Sequence, residues 1–198
     1  MIPPAGHPGL SAWSDESFQE KDSAGFYIIA AAIIEPPVRD AAREAMLAQR
    51  GRRATAKAHW TEMDHREKKR AARAVAELDG VHVVAVGSPV PFRKQERARS
   101  KCLTQLVTQL HAFGVECLFM EAREPQLNQR DIRTVQSARF GLPKGTAFRI
   151  EHVYGGAEPL LWVADVVAGA CRAHQLGRGE YWAELVDVVV DFEVDTDC

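Results

Sequence analysis

The run GFYIIAAAII, residues 25–34, constrains this chain more than any other stretch. Its length and unbroken apolarity mark a buried strand, and the following EPP ends it. A second apolar block, LLWVADVVAGACRAHQ at 160–175, is too long for a strand and reads as a helix buried on most faces. Between these anchors the pattern alternates. A short strand-like piece at 11–14 comes first, and a helix is predicted at 38–50, a short strand within 51–60, and a helix from a Thr61/Asp64 cap to about Leu78. Then come a strand at 81–88, a helix at 91–114 and a strand at 115–122. A helix at 126–140, a turn at 142–145, a strand at 146–153 and a closing helix or strand near 180–193 complete the order. Such alternation favours an α/β three-layer domain with partly parallel strands. Ligand sites in such sheets lie at the carboxyl ends of the parallel strands.

At 198 residues the chain fits one domain, expected over 11–198 behind a flexible arm at 1–10. No apolar run has the length of a membrane span, and MIPPAGHPGL has neither the basic nor the apolar region of a signal peptide. Cys102, Cys117, Cys171 and Cys198 lack paired spacing, so reduced thiols in a cytoplasmic protein are expected, the first three in core positions.

The net charge of -2 hides an asymmetry. Residues 39–73 carry eleven Lys and Arg against five acids, and RKQERARSK at 93–101 is a second basic cluster. From Glu180 onward the chain has acids and no Lys or Arg. One face is therefore expected to suit a polyanion, unless the basic helices are solvated surfaces.

Three carboxylates break their local pattern. Asp15 follows SAWS in WSDESFQE, Glu121 closes VECLFME in phase with Val115, Cys117 and Phe119, and Asp165 is the only charged residue between Pro159 and Arg172. A buried carboxylate needs a cation, hydrogen bonds or a raised pKa. An oxygen-only set without a Cys or His cluster suits Mg²⁺ or Mn²⁺. Each acid also has a plain structural reading: a turn cap for Asp15, a partner such as Arg123 for Glu121, a buried hydrogen bond for Asp165. His59 in KAHWTEM is a candidate for phosphate or carboxylate contact, and Glu62 and Asp64 read equally as first-turn acids.

SDES, KAHW, MEAR and EPLLWVADVVAGA, in this order and spacing, resemble the domain-of-unknown-function 3800 family along nearly the whole chain. The resemblance implies a ribonuclease H-like fold, with a mixed central sheet flanked by helices and an acidic metal site. It makes Asp15 the first-strand acid, Glu121 the later strand-end acid and Asp165 the acid of the last core helix. One departure stands out. Where many members carry an acid two residues before the histidine, this chain has Lys57, so either Glu62 substitutes as a ligand or the site has fewer carboxylates.

Two main functions compete. One is a Mg²⁺- or Mn²⁺-dependent nuclease with Asp15, Glu121, Asp165 and His59 catalytic, and Asp15, Glu121, Asp165 and Glu62 on the metal. Its nucleic-acid contacts would be Lys57, Arg52, Arg53, Lys94 and Arg97. The other is a nucleic-acid- or partner-binding module on the same fold without catalysis, which Lys57 favours. A third reading sets the Arg-rich helices against an acidic protein partner.

Overall fold

The computed structural model describes residues 9–20, 25–50 and 57–198. Strands β1 (Leu10–Gln19), β2 (Phe26–Ile34), β3 (Gly80–Ser88), β4 (Val115–Glu121), β5 (Arg149–Val153) and β6 (Val189–Asp195) form one sheet in the order β5-β4-β1-β2-β3-β6. β1, β2 and β3 are antiparallel neighbours, whereas β4 runs parallel to β1, β5 to β4, and β6 to β3. The sheet is mixed, as the alternating pattern predicts.

Helices α1 (Arg39–Arg50), α2 (His65–Ala76), α3 (Gln95–Ala112), α4 (Pro125–Ala138) and α5 (Leu160–Gln175) cover both faces. α5 lies directly on the sheet against β1 and β2, with α1 and α2 packed on it. α3 covers β2 and β3 on the other face, and α4 packs beside it. Alternation along the strands divides the core accordingly. Trp13, Ile28, Ala30, Val84 and Phe119 join the α5 layer, and Ala12, Ile29, Ala31, Val83 and Leu118 join the α3 layer. β2 is buried at all nine positions because it is central and covered twice, which is why it reads as a continuous apolar run.

Several expected boundaries move. The first strand is ten residues long, not four, so Asp15, Glu16 and Ser17 lie inside β1 and not in a turn after it. Polar residues after SAWS suggest a turn, but in a pleated strand Asp15 and Glu16 point to opposite faces and find partners there. The expected strand at 51–60 falls partly outside the described residues; Lys57–His59 is irregular, and Trp60–Glu62 is a 3-10 turn. The α2 cap is Asp64, not Thr61: its side chain accepts from Glu67 N, and the Glu67 carboxylate accepts from Asp64 N. α3 starts at Gln95, beyond the prolines at 89 and 91. β5 is shorter than expected, and the closing segment is a 3-10 turn at Trp182–Glu184 followed by β6. Val115 belongs to the α3-side core, out of phase with Cys117 and Phe119, because the β1–β4 register shifts between Leu10 and Ser11.

Cys102, Cys117 and Cys171 are buried free thiols, and burial pushes their pKa values up to about 12, 11 and 12. No helix among the described residues is long and apolar enough to cross a membrane. The stretch 51–56, with Arg52 and Arg53, lies outside the described residues.

Candidate functional site

Alternation in β1 sends Asp15 to the α5 face and Glu16 to the α3 face. Glu121, two residues past Phe119 on the neighbouring parallel strand, shares the face of Asp15. Asp165 comes down onto that face from α5. The three acids that break the apolar pattern thus meet on one side of the sheet, at the carboxyl end of β4 and the middle of β1.

A lysine joins them. Lys57 is 5% exposed, and its Nζ lies 2.9 Å from Asp15 Oδ2 and 2.5 Å from Glu121 Oε2. The other Asp15 oxygen accepts the Glu16 N–H at 2.8 Å. Asp165 Oδ2 accepts the Trp60 N–H at 2.8 Å. Burial, together with the charge of Asp165, drives the Asp15 pKa up to about 8, with Lys57 pulling the other way. Burial also raises the Asp165 pKa, opposed by Lys57, by the Trp60 N–H and by nearby His59. For Lys57 burial alone would favour the neutral amine, but Asp15, Asp165 and Glu121 outweigh it and hold the ammonium charged.

Small residues make this packing possible. Gly169 lies one turn beyond Asp165, and a Cβ there would overlap the Trp60 indole. Trp60 is therefore held twice by one face of α5, through its N–H on Asp165 and its ring on Gly169. Its ring also meets Tyr181 edge-on at 5.1 Å and carries Lys68 Nζ 5.5 Å from its centroid. A Cβ at Gly155 would overlap the Glu121 carboxylate, so that loop too closes directly on the cluster.

On the opposite face Glu16 meets a second cation. Arg99, 1% exposed, places Nη1 2.8 Å from Glu16 Oε2 and 3.0 Å from the Tyr27 hydroxyl. It grips Asp131 with two bonds, at 2.8 and 2.9 Å. Arg123 and His152 also bond Asp131. Burial opposes ionisation of Asp131, yet His152, Arg99 and Arg123 hold its pKa well below the usual carboxylate range. The adjacent acids of the DES motif therefore serve two separate cations on two faces of one strand.

The remaining sequence candidates are dispersed. His59 is half-buried beside Asp165, and Glu62 is exposed on the 3-10 turn. Lys94 and Arg97 are exposed at the start of α3, on the other side of the sheet from Asp15. Lys57, expected to touch phosphate from the surface, lies instead inside the acidic cluster, because the buried Asp15 and half-buried Glu121 carboxylates compete for its ammonium more strongly than solvent does. The sequence reading missed Arg99 and Asp131.

The all-oxygen donor set has the right chemistry for Mg²⁺ or Mn²⁺, but its arrangement does not fit either ion. Such a metal needs carboxylate oxygens turned towards it. Here both Asp15 oxygens, Glu121 Oε2 and Asp165 Oδ2 already accept hydrogen bonds, and an ammonium sits where the charges converge. Among the described residues no group of three His, Cys, Asp or Glu side chains is disposed to hold a metal ion.

The mixed six-stranded sheet with helices on both faces, led by an antiparallel three-strand meander, is a ribonuclease H-like fold. Among solved structures the chain is similar to one from the complex of PCNA with RNase HII of Archaeoglobus fulgidus. That match has a TM-score of 0.57 at 13% identity and covers 88% of this chain and 77% of the other. No family model matches the sequence, and no curated protein matches it.

Proposed function

We propose that this chain is a ribonuclease H-like module of the domain-of-unknown-function 3800 type that binds nucleic acid without cutting it. The carrying observation is Lys57, whose Nζ lies within 2.9 Å of both Asp15 and Glu121. A hydrolase of this fold would need a Lewis acid among those carboxylates to activate water and stabilise the leaving oxygen. An ammonium neutralises the acids without supplying that chemistry. Lys57 here is a structural cation: it fixes β1 to β4 and anchors the segment that carries Trp60. The single sheet that holds every described strand supports the reading of 11–198 as one domain. Nucleic acid is the ligand that best suits the exposed basic residues Lys94, Arg97, Arg130 and Arg133 along α3 and α4. A cytoplasmic location agrees with three buried free thiols.

A metal-dependent nuclease is the second reading, favoured by the convergence of Asp15, Glu121 and Asp165 on one face. It requires Lys57 to leave the cluster. A panel of single-stranded, duplex and hybrid substrates with Mn²⁺ separates the two. Salt-sensitive binding with intact substrates supports the binding module. Cleavage lost in Asp15→Asn establishes the nuclease.

A further inference from the structure

Between α3 and α4 lies an open groove of about 340 Å³, lined by four arginines, two acids and two hydroxyl residues. Its floor is tied together: Arg99 and Asp131 are held by paired bonds, and Asp131 is gripped again by Arg123. Four guanidinium groups against two carboxylates leave a positive excess, and both carboxylates are already engaged. Asp131 is bonded to Arg99 and Arg123, and Glu96 lies 2.7 Å from Arg123 and 3.9 Å from Arg130. Arg97 and Arg133 are exposed at the rim. Arg97 makes a long bond, 3.4 Å, to Thr196 O and lies within electrostatic reach of the Asp197 carboxylate, and Arg133 enters no ion pair among the described residues. Ser100 and Thr134 share a hydrogen bond in the groove, hydroxyl oxygens 3.2 Å apart, which leaves one hydroxyl proton of the pair to donate.

We infer that this groove seats a backbone phosphate of nucleic acid, with Arg97 and Arg133 as its charge contacts and the Ser100–Thr134 hydroxyl pair as a neutral donor. Guanidinium groups and hydroxyls are the usual partners of phosphate oxygens. No aromatic side chain lines the groove, so it offers a base no ring to stack on. Recognition is of charge and independent of sequence. This inference rests on the nucleic-acid-binding reading and locates its contact site, on the side of the sheet opposite Lys57.

The test compares Arg97→Gln/Arg133→Gln with Arg66→Gln/Arg70→Gln, an equal loss of charge on exposed positions of α2. All four residues are exposed, and thermal melting checks that both variants fold. Fluorescence anisotropy with a labelled oligothymidylate and with a duplex of equal length is measured across a salt series. The groove variant is expected to flatten the slope of log affinity against log salt by about 1.4 on the single strand and about 1.8 on the duplex. The α2 variant should keep the wild-type slope. Equal flattening by both variants overturns the groove assignment and leaves the binding reading standing. No binding by wild type overturns both. Adenosine monophosphate supplies the other source of a phosphate. If it raises the melting temperature of wild type but not of the groove variant, while oligonucleotide binding is the same in both, the groove is a free-nucleotide site and the backbone assignment falls.

Discussion

Lys57 stands at the centre of the residue-scale account, because three carboxyl groups share its one positive charge. Replacing it with Met keeps much of the volume and removes the cation. Above about pH 8, where Asp15 is ionised, the expected cost is about 3–5 kcal/mol, since acids are left uncompensated; below it the proton on Asp15 offsets part of the loss, and chemical denaturation on both sides of that pH measures it. The same cluster sets a pH dependence. The Asp15 pKa is about 8 in the fold against an ordinary 3.8, so between these values the folded chain holds the proton more tightly than the unfolded one. Its contribution to stability is complete below 3.8 and is lost as pH rises through about 8. Asp165→Asn retains an oxygen for the Trp60 N–H and removes a repelling charge. It is expected to melt at or above wild type at the alkaline end of that window, with a shallower decline. A lower melting temperature throughout the window would show that the charge of Asp165 is itself stabilising. The sequence exposed the three acids because each interrupts an apolar pattern. It marked Lys57 as standing in place of an acid but not as buried, because in a basic stretch a lysine reads as solvated. Arg99 and Asp131 did carry a signal. Arg99 precedes Cys102, Leu103 and Leu106 by three, four and seven positions on the buried face of α3, and Asp131 precedes Val135 and Ala138 by four and seven on α4.

At the scale of elements, helix caps and close approaches decide where the chain turns. Asp64→Ala removes the side-chain half of the α2 capping box, and a loss of about 1 kcal/mol in denaturant unfolding is expected. Gly169→Ala tests the docking of Trp60 on α5. A methyl at that position overlaps the indole, so the ring or the helix must shift, at about 1–3 kcal/mol. Tryptophan fluorescence should change with it, and an unperturbed spectrum with wild-type stability would mean that Trp60 is not seated there. Long elements were the most legible: α5 begins and ends where its apolar run does, and β2 fills nearly all of its own. β1 was misjudged because DES looks like a turn until both faces of the strand are known to supply cations. Ala56, Ala58 and Trp60 alternate with polar residues as a strand would, yet Trp60 is held by α5 and not by a strand partner.

For the whole molecule, the sheet divides two chemistries. One face holds the lysine-compensated acids beneath α5, and the other holds the arginine network that floors the α3–α4 groove. β1 connects them through the neighbouring residues Asp15 and Glu16. The layer arrangement was legible from the alternation of elements, whereas the partition of charge was not, since it depends on which helix covers which face. The central claim, that Lys57 is the resident cation of the acidic cluster, is tested most directly by calorimetric titration of wild type and Asp15→Asn with Mn²⁺. Neither protein is expected to show saturable binding at the site, and both should leave nucleic acid intact. A stoichiometric Mn²⁺ isotherm in wild type that disappears in Asp15→Asn would contradict it.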